Sequence, residues 1–167
     1  YRNDLPVQGL ILNSPFLDWN FGWFMESILI PSVSSIGKYF PDWIIQGTSG
    51  DASYAKSLLK AFKGEWIFDT SLKMPLGHPK KAGWIRAIHT AQQDIQESCA
   101  IQCPILLLSS TRSYPETDEW HDEYMSSDIV LSVDDIQKFG KRLGPNVTAR
   151  QIEGGIHDLI LSPKPAR

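Results

Sequence analysis

Val147-Thr148-Ala149-Arg150-Gln151-Ile152, followed by Glu153-Gly154-Gly155-Ile156-His157-Asp158-Leu159, decides how this chain is read. The first six residues read as a buried strand. Two glycines at a strand end let the backbone turn tightly and approach a neighbour closely. A histidine placed just after them sits at the C-terminal edge of a sheet, where open α/β folds keep their chemistry. Imidazole titrates near neutral pH and suits general-base work. Asp158 reads as a cap or a hydrogen-bond partner for the turn.

Working outward, two more apolar runs fit strands of the same sheet. One is residues 7–13, bounded by Pro6 and Pro15; the other is residues 104–109, Pro104-Ile105-Leu106-Leu107-Leu108-Ser109. Both read as buried parallel strands. Ser132-Val133-Asp134-Asp135 opens a helix between the second and third strands. Ser132 can cap it and the two acids suit the positive end of its dipole. Ile136, Phe139 and Leu143 face the core, and Gly144-Pro145 stops it. Alternating strands and helices imply a parallel sheet with right-handed crossovers.

The stretch from Trp19 to Gly50 is aromatic and broken by Pro31, Gly37, Pro41 and Gly47. It predicts short helices at about 21–30 and 34–40. Residues 53–62 predict a helix with Tyr54, Leu58, Leu59 and Phe62 on one side. Residues 81–98 predict the longest helix, with Trp84, Ile85, Ile88, Ala91, Gln92 and Ile95 on its apolar face and His89 off it. Five of the six tryptophans lie between Trp19 and Trp84, and aromatic packing around one apolar pocket is expected there.

Composition narrows the functional classes. The 167 residues fit about one domain, with 16 Lys and Arg against 19 Asp and Glu, a net charge of −3. There is no basic block, so no nucleic-acid surface is expected. No apolar run is long enough for a membrane span. Cys99 and Cys103 make neither a disulfide scaffold nor a zinc site and read as reduced thiols in a cytoplasmic protein. No cofactor is implied. His121, Asp122 and Glu123 lie together in an acidic loop, but adjacent residues rarely converge on one ion, so no metal site is expected and the loop reads as solvated. Gly47-Thr48-Ser49-Gly50 lacks the G-x-S-x-G spacing of a nucleophile elbow. Tyr1 to Pro6 reads as the tail of a helix plus a loop, which suggests a chain begun inside a larger protein.

Taken together, several of these stretches resemble the α/β-hydrolases, and among them the serine aminopeptidase and lysophospholipase-like group that includes monoglyceride lipases. Leu10-Ile11-Leu12-Asn13-Ser14-Pro15-Phe16-Leu17-Asp18 resembles the strand after the nucleophile helix. Gly64-Glu65-Trp66 and Gly83-Trp84-Ile85-Arg86-Ala87-Ile88 resemble the cap of a bacterial branch. Cys103 to Ser110 resembles the strand before the acid loop, and Gly154-Gly155-Ile156-His157-Asp158 the histidine turn.

The resemblance implies the C-terminal half of an α/β-hydrolase fold, with residues 1–15 and 99–167 as partial core and 16–98 as a helical cap. It implies a serine hydrolase of carboxylic esters. His157 maps onto the base, and Asp128 onto the acid that orients it through Nδ1, with Asp118 and Asp134 as alternatives. No G-x-S-x-G occurs, so the chain carries two triad members, no nucleophile, and is expected to be inactive alone. An acyl ester is the implied substrate of the parent. The implied partner is the N-terminal half of the fold, or a second copy, meeting the strand at 7–13. The competing readings are a non-catalytic half-hydrolase module that binds a partner or apolar ligand, and a hydrolase using Ser14 or Ser110 at a strand end.

Overall fold

The computed structural model describes residues 6–47, 52–98, 100–117 and 119–166. Tyr1, Ser49, Cys99 and Asp118 lie outside them.

Three parallel strands form the sheet: β1 (Leu10–Asn13), β4 (Ile105–Ser110) and β5 (Val147–Ile152), in the order β1-β4-β5. Leu10 pairs with Ile105 and Ile105 with Val147; at the other end Asn13 pairs with Leu108 and Ser110 with Ile152. The first strand is shorter than residues 7–13 and the second starts one residue late. Pro104 is the reason. It has no N–H to give to a ladder, so pairing begins where Leu10 N–H bonds its carbonyl at 2.9 Å.

Only one face of the sheet carries a core. Leu10, Leu12, Ile105, Leu107, Val147 and Ala149 share that face and pack against Ile136, Phe139 and Leu143. These come from α4 (Val133–Gly140) and its exit. Ser132 caps α4, its Oγ accepting from the Asp135 amide at 3.2 Å. The opposite face is open. Ile11 is 73% exposed, and Leu106, its partner on β4, and Leu108 are only half-buried. Among the described residues no core cluster forms there. The reading of β1 and β5 as buried strands is therefore corrected: both are edge strands, and β5 alternates between half-buried and exposed positions.

Between β1 and β4 runs an insertion that adds nothing to this sheet. It carries α1 (Ile30–Gly37), β2 (Ile44–Gln46), α2 (Ser53–Leu58), β3 (Lys80–Lys81) and α3 (Ala82–Ser98). Strands β2 and β3 pair only with each other, antiparallel. Helix α1 packs along α3, burying Ile30, Val33, Ala82 and Ile85 with Trp19. The two backbones approach closely, since a Cβ on Gly37 would strike the Ala82 carbonyl. Gln92 and Gln96 of α3 donate to the Phe16 and Leu17 carbonyls at 3.3 and 2.8 Å, tying the insertion to the exit of β1.

Five expectations for this insertion are corrected. Pro31 does not separate two helices. A π-helical turn, Met25–Leu29, leads directly into α1, and this local change of hydrogen-bond pattern accommodates Pro31 within one continuous helical run. Helix α2 stops at Leu58 because Leu59 turns extended and Gly64 folds back onto the Leu58 carbonyl, which leaves Phe62 exposed. The five tryptophans do not line one pocket. Trp19 is buried, but Trp23 is 74%, Trp43 56% and Trp84 44% exposed. Ala91 is exposed too, and α3 buries Ala82, Ile85 and Gln92 instead. His89 is half-buried rather than exposed.

The one-faced sheet makes a paired prediction for this chain. Leu107→Ala, at a fully buried site in the middle of β4, is expected to cost about 2–5 kcal/mol. Ile11→Thr on the open face is expected to stay within about 0.5 kcal/mol. Urea unfolding of the two variants checks both; equal losses would mean that both faces are packed.

Candidate active site

The three parallel strands end on the same side, at Asn13, Ser110 and Ile152. The candidate residues gather beyond those ends. After β5, Gly155 N–H bonds the Ile152 carbonyl at 3.1 Å. Gly154 has φ +69°, which a side chain would strain. A Cβ on Gly155 would come within 2.6 Å of Leu159 Cδ2 and 3.0 Å of the Ile152 carbonyl. Both glycines are thus required for the turn that presents His157.

Two serines hold that turn. Ser110, at the end of β4, donates to the Gly155 carbonyl at 2.6 Å, and Ser162 Oγ accepts from the Ile156 amide at 3.0 Å. Both are fully buried. Asn13, at the end of β1, donates to Asp158 Oδ1 at 3.1 Å and accepts from the Leu159 amide at 3.3 Å. Asp158 is thus a hydrogen-bond partner, but of β1 rather than of its own turn, and its side chain caps nothing.

Asp128 reaches the same place from the loop after β4. The loop folds back so that Asp128 N–H bonds the Arg112 carbonyl and Tyr114 N–H bonds the Asp128 carbonyl, each at 3.0 Å. Asp128 is fully buried. Its Oδ1 accepts from the Val130 and Leu131 amides at 2.9 and 2.8 Å, and its Oδ2 lies 3.0 Å from His157 Nδ1. A charged carboxylate only accepts, so opposite one the proton of this bond sits on Nδ1, and Nε2 is the ring nitrogen turned away from Asp128. His157 keeps a side-chain exposure of 23%, so the ring is reachable while its partner is not.

Asp134 does not share this place: it is exposed on the first turn of α4. Asp118 falls outside the described residues. The acidic loop is not simply solvated. It wraps Tyr124, which is fully buried and packs against Tyr114, Trp120 and His121. His121 is thus part of an aromatic cluster, and no group of metal-binding side chains occurs among the described residues. Of the two strand-end serines, Ser110 has its hydroxyl committed as above. Ser14 is buried with φ +43° and its Oγ meets no partner among the described residues.

Two contacts from the insertion were not foreseen. The Tyr54 ring stands edge-on to the His157 ring, centroids 5.6 Å apart and planes at 78°. Burial first, then the charges of Asp158 and Asp128, push the Tyr54 phenol well above its ordinary range, so it stays protonated. Trp66 Nε1 donates to the Leu161 carbonyl at 2.7 Å, just past the histidine turn. A helical face read from sequence says that Tyr54 is inward, but not what it meets. Asn13 carried a clearer signal, as a polar residue ending an apolar parallel strand.

One concavity borders the acid loop and another lies within the insertion. A cleft of about 770 Å³ lies on the acid-loop side, with Phe21, Arg112, Tyr114, Glu116 and Val130 on its wall; His157 is not among its lining residues. A smaller apolar cavity of about 100 Å³ lies in the insertion between Trp19, Met25, Val33, Ile45 and Trp84.

No protein-family model matches the chain, and no curated protein matches it in sequence. A solved structure, the monoacylglycerol lipase of Paleococcus ferrophilus, superposes with a TM-score of 0.61 at 17% identity, over 95% of this chain and 53% of that one. The chain therefore spans about half the length of that lipase. At such identity the likeness speaks for architecture alone, and the architecture is that of a partial α/β-hydrolase fold.

Proposed function

We propose that this chain supplies the histidine and the acid of a serine hydrolase acting on carboxylic esters, of the esterase or lysophospholipase-like kind. The observation that carries the reading is the 3.0 Å pairing of His157 Nδ1 with a fully buried Asp128 at the C-terminal edge of a parallel sheet. Asp128 holds the imidazole in one tautomer and stabilises the imidazolium as it forms. His157 Nε2 takes the proton of a serine hydroxyl and later gives it to the leaving alkoxide. The buried position of Asp128, with Oδ1 already engaged by two amides, keeps the carboxylate aimed in one direction.

The nucleophile comes from the part of the fold that this chain does not match. That part covers β1 and the open face carrying Ile11, Leu106 and Leu108. An apolar sheet face with an unpaired parallel strand at its edge is an association site. Residues 16–98 act as the cap, and the apolar cavity beside Trp19 and Trp84 receives an acyl chain. No helix among the described residues is long and apolar enough to cross a membrane.

The second reading is a non-catalytic half-hydrolase that binds a partner or an apolar ligand. The exposure of Trp23, Phe24 and Ile28 together on the insertion favours it. A fluorophosphonate probe separates the two. Labelling is expected only when this chain is joined to, or mixed with, a segment bearing G-x-S-x-G, and His157→Ala is expected to lower it at least about a thousandfold. Persistent silence of the joined protein favours the binding module. Labelling of the isolated chain at Ser14 would overturn the split-site reading.

A second expected outcome concerns association. In sedimentation velocity at low micromolar concentration the isolated chain is expected to self-associate, and Ile11→Lys is expected to shift it toward monomer. A stable monomer in both cases would remove the argument from the open face.

A further inference from the structure

One helix of the insertion touches both loops of the site. Tyr54 of α2 stands edge-on against His157, and α2 also packs against the 3₁₀ turn Asp122–Met125 of the acid loop. The Lys73 ammonium lies over the Tyr54 ring, 5.3 Å from its centroid. Eight residues beyond α2, Trp66 bonds the Leu161 carbonyl at 2.7 Å. Leu58 and Ser57 between these anchors are buried.

Imidazole is free to swing about its last side-chain torsion, which is broad for a ring on a tetrahedral carbon. One hydrogen bond to Asp128 fixes a direction for Nδ1 but not the plane of the ring. The edge of Tyr54 supplies the missing constraint, since aromatic pairs favour the edge-to-face arrangement seen here.

We propose that Tyr54 is a positioning residue for His157: its ring holds the imidazole plane that keeps Nδ1 on Asp128, and α2 is a fixed brace across both site loops rather than part of a moving lid. This rests on the reading of His157 and Asp128 as a working pair. It divides the insertion into two parts. The segment from α2 to Trp66 is locked to the site, whereas the segment around Trp23 and Ile28 makes no contact of this kind among the described residues and is the part free to respond to substrate.

The test is imidazole ¹H–¹⁵N NMR on the 167-residue chain. Tyr54→Leu is expected to speed exchange of the His157 Nδ1 proton with water about tenfold, the size of an aromatic pair's contribution to a population ratio. Tyr54→Phe keeps the ring edge and is expected to stay within about twofold. Unchanged exchange in Tyr54→Leu overturns the brace, as does an equal loss in Tyr54→Phe, which would move the role to the hydroxyl. Should Tyr54→Leu fail to fold, the unaltered chain and Tyr54→Phe decide. Nuclear Overhauser contacts between ring 54 and ring 157, with the Nδ1 proton retained in the Phe variant, uphold the proposal, and their absence overturns it. Asp128→Asn in the same spectra isolates the underlying reading. A wild-type Nδ1 proton indifferent to that change refutes the pair, whatever Tyr54 does.

Discussion

A carboxylate with no exposure to water must have its charge met by the protein, and at Asp128 this constraint shapes everything around it. Burying such a charge without hydrogen-bond partners would be costly. Here two amides meet one oxygen and an imidazole meets the other. To supply those donors the loop after β4 must double back beside Ser113, α4 must start at Ser132, and the turn after β5 must aim His157 inward. The parallel register of β4 with β5 sets the distance between those two loops. The sheet is small, yet it holds the one geometrical quantity that the site depends on.

The reach of sequence reasoning follows from which of these constraints are local. The glycine turn at Gly154 and Gly155, the cap at Ser132 and the existence of three parallel strands are properties of short stretches, and each was legible. The assignment of Asp128 as the proposed acid came only through resemblance to known hydrolases. What selects Asp128 over Asp134 is the pairing of Asp128 with residues 112 and 114, a long-range event that no periodicity announces. The tryptophans misled for a related reason. A large apolar ring reports a need for burial, but a thin insertion of short helices has too little interior for Trp23 and Trp43. Pro31 misled because a π-helical turn can absorb what would otherwise be a break. The apolar strand residues misled because hydrophobicity does not distinguish an edge with an open face from a sheet centre.

The polar residues at the strand ends also tie distant parts together. Asn13 joins β1 to the residues after His157, and Ser110 joins β4 to the glycine turn. These contacts make the C-terminal edge of the sheet a single hydrogen-bonded unit. The cap candidate adds Tyr54 and Trp66 to that unit from the side. Chemistry at such an edge relies on groups that do not drift relative to one another, and the geometry is over-determined in that sense.

Separation along the chain carries one more implication, for the order of folding. Asp128 and His157 are 29 residues apart, within a single strand–helix–strand crossover. The tie from Asn13 to Asp158 spans 145 residues. Closing a loop costs more entropy as it lengthens, and long-range contacts form late when shorter ones suffice to nucleate. The β4–α4–β5 unit therefore has the means to bring Asp128 and His157 together first, with β1 and the insertion arriving afterwards to lock them.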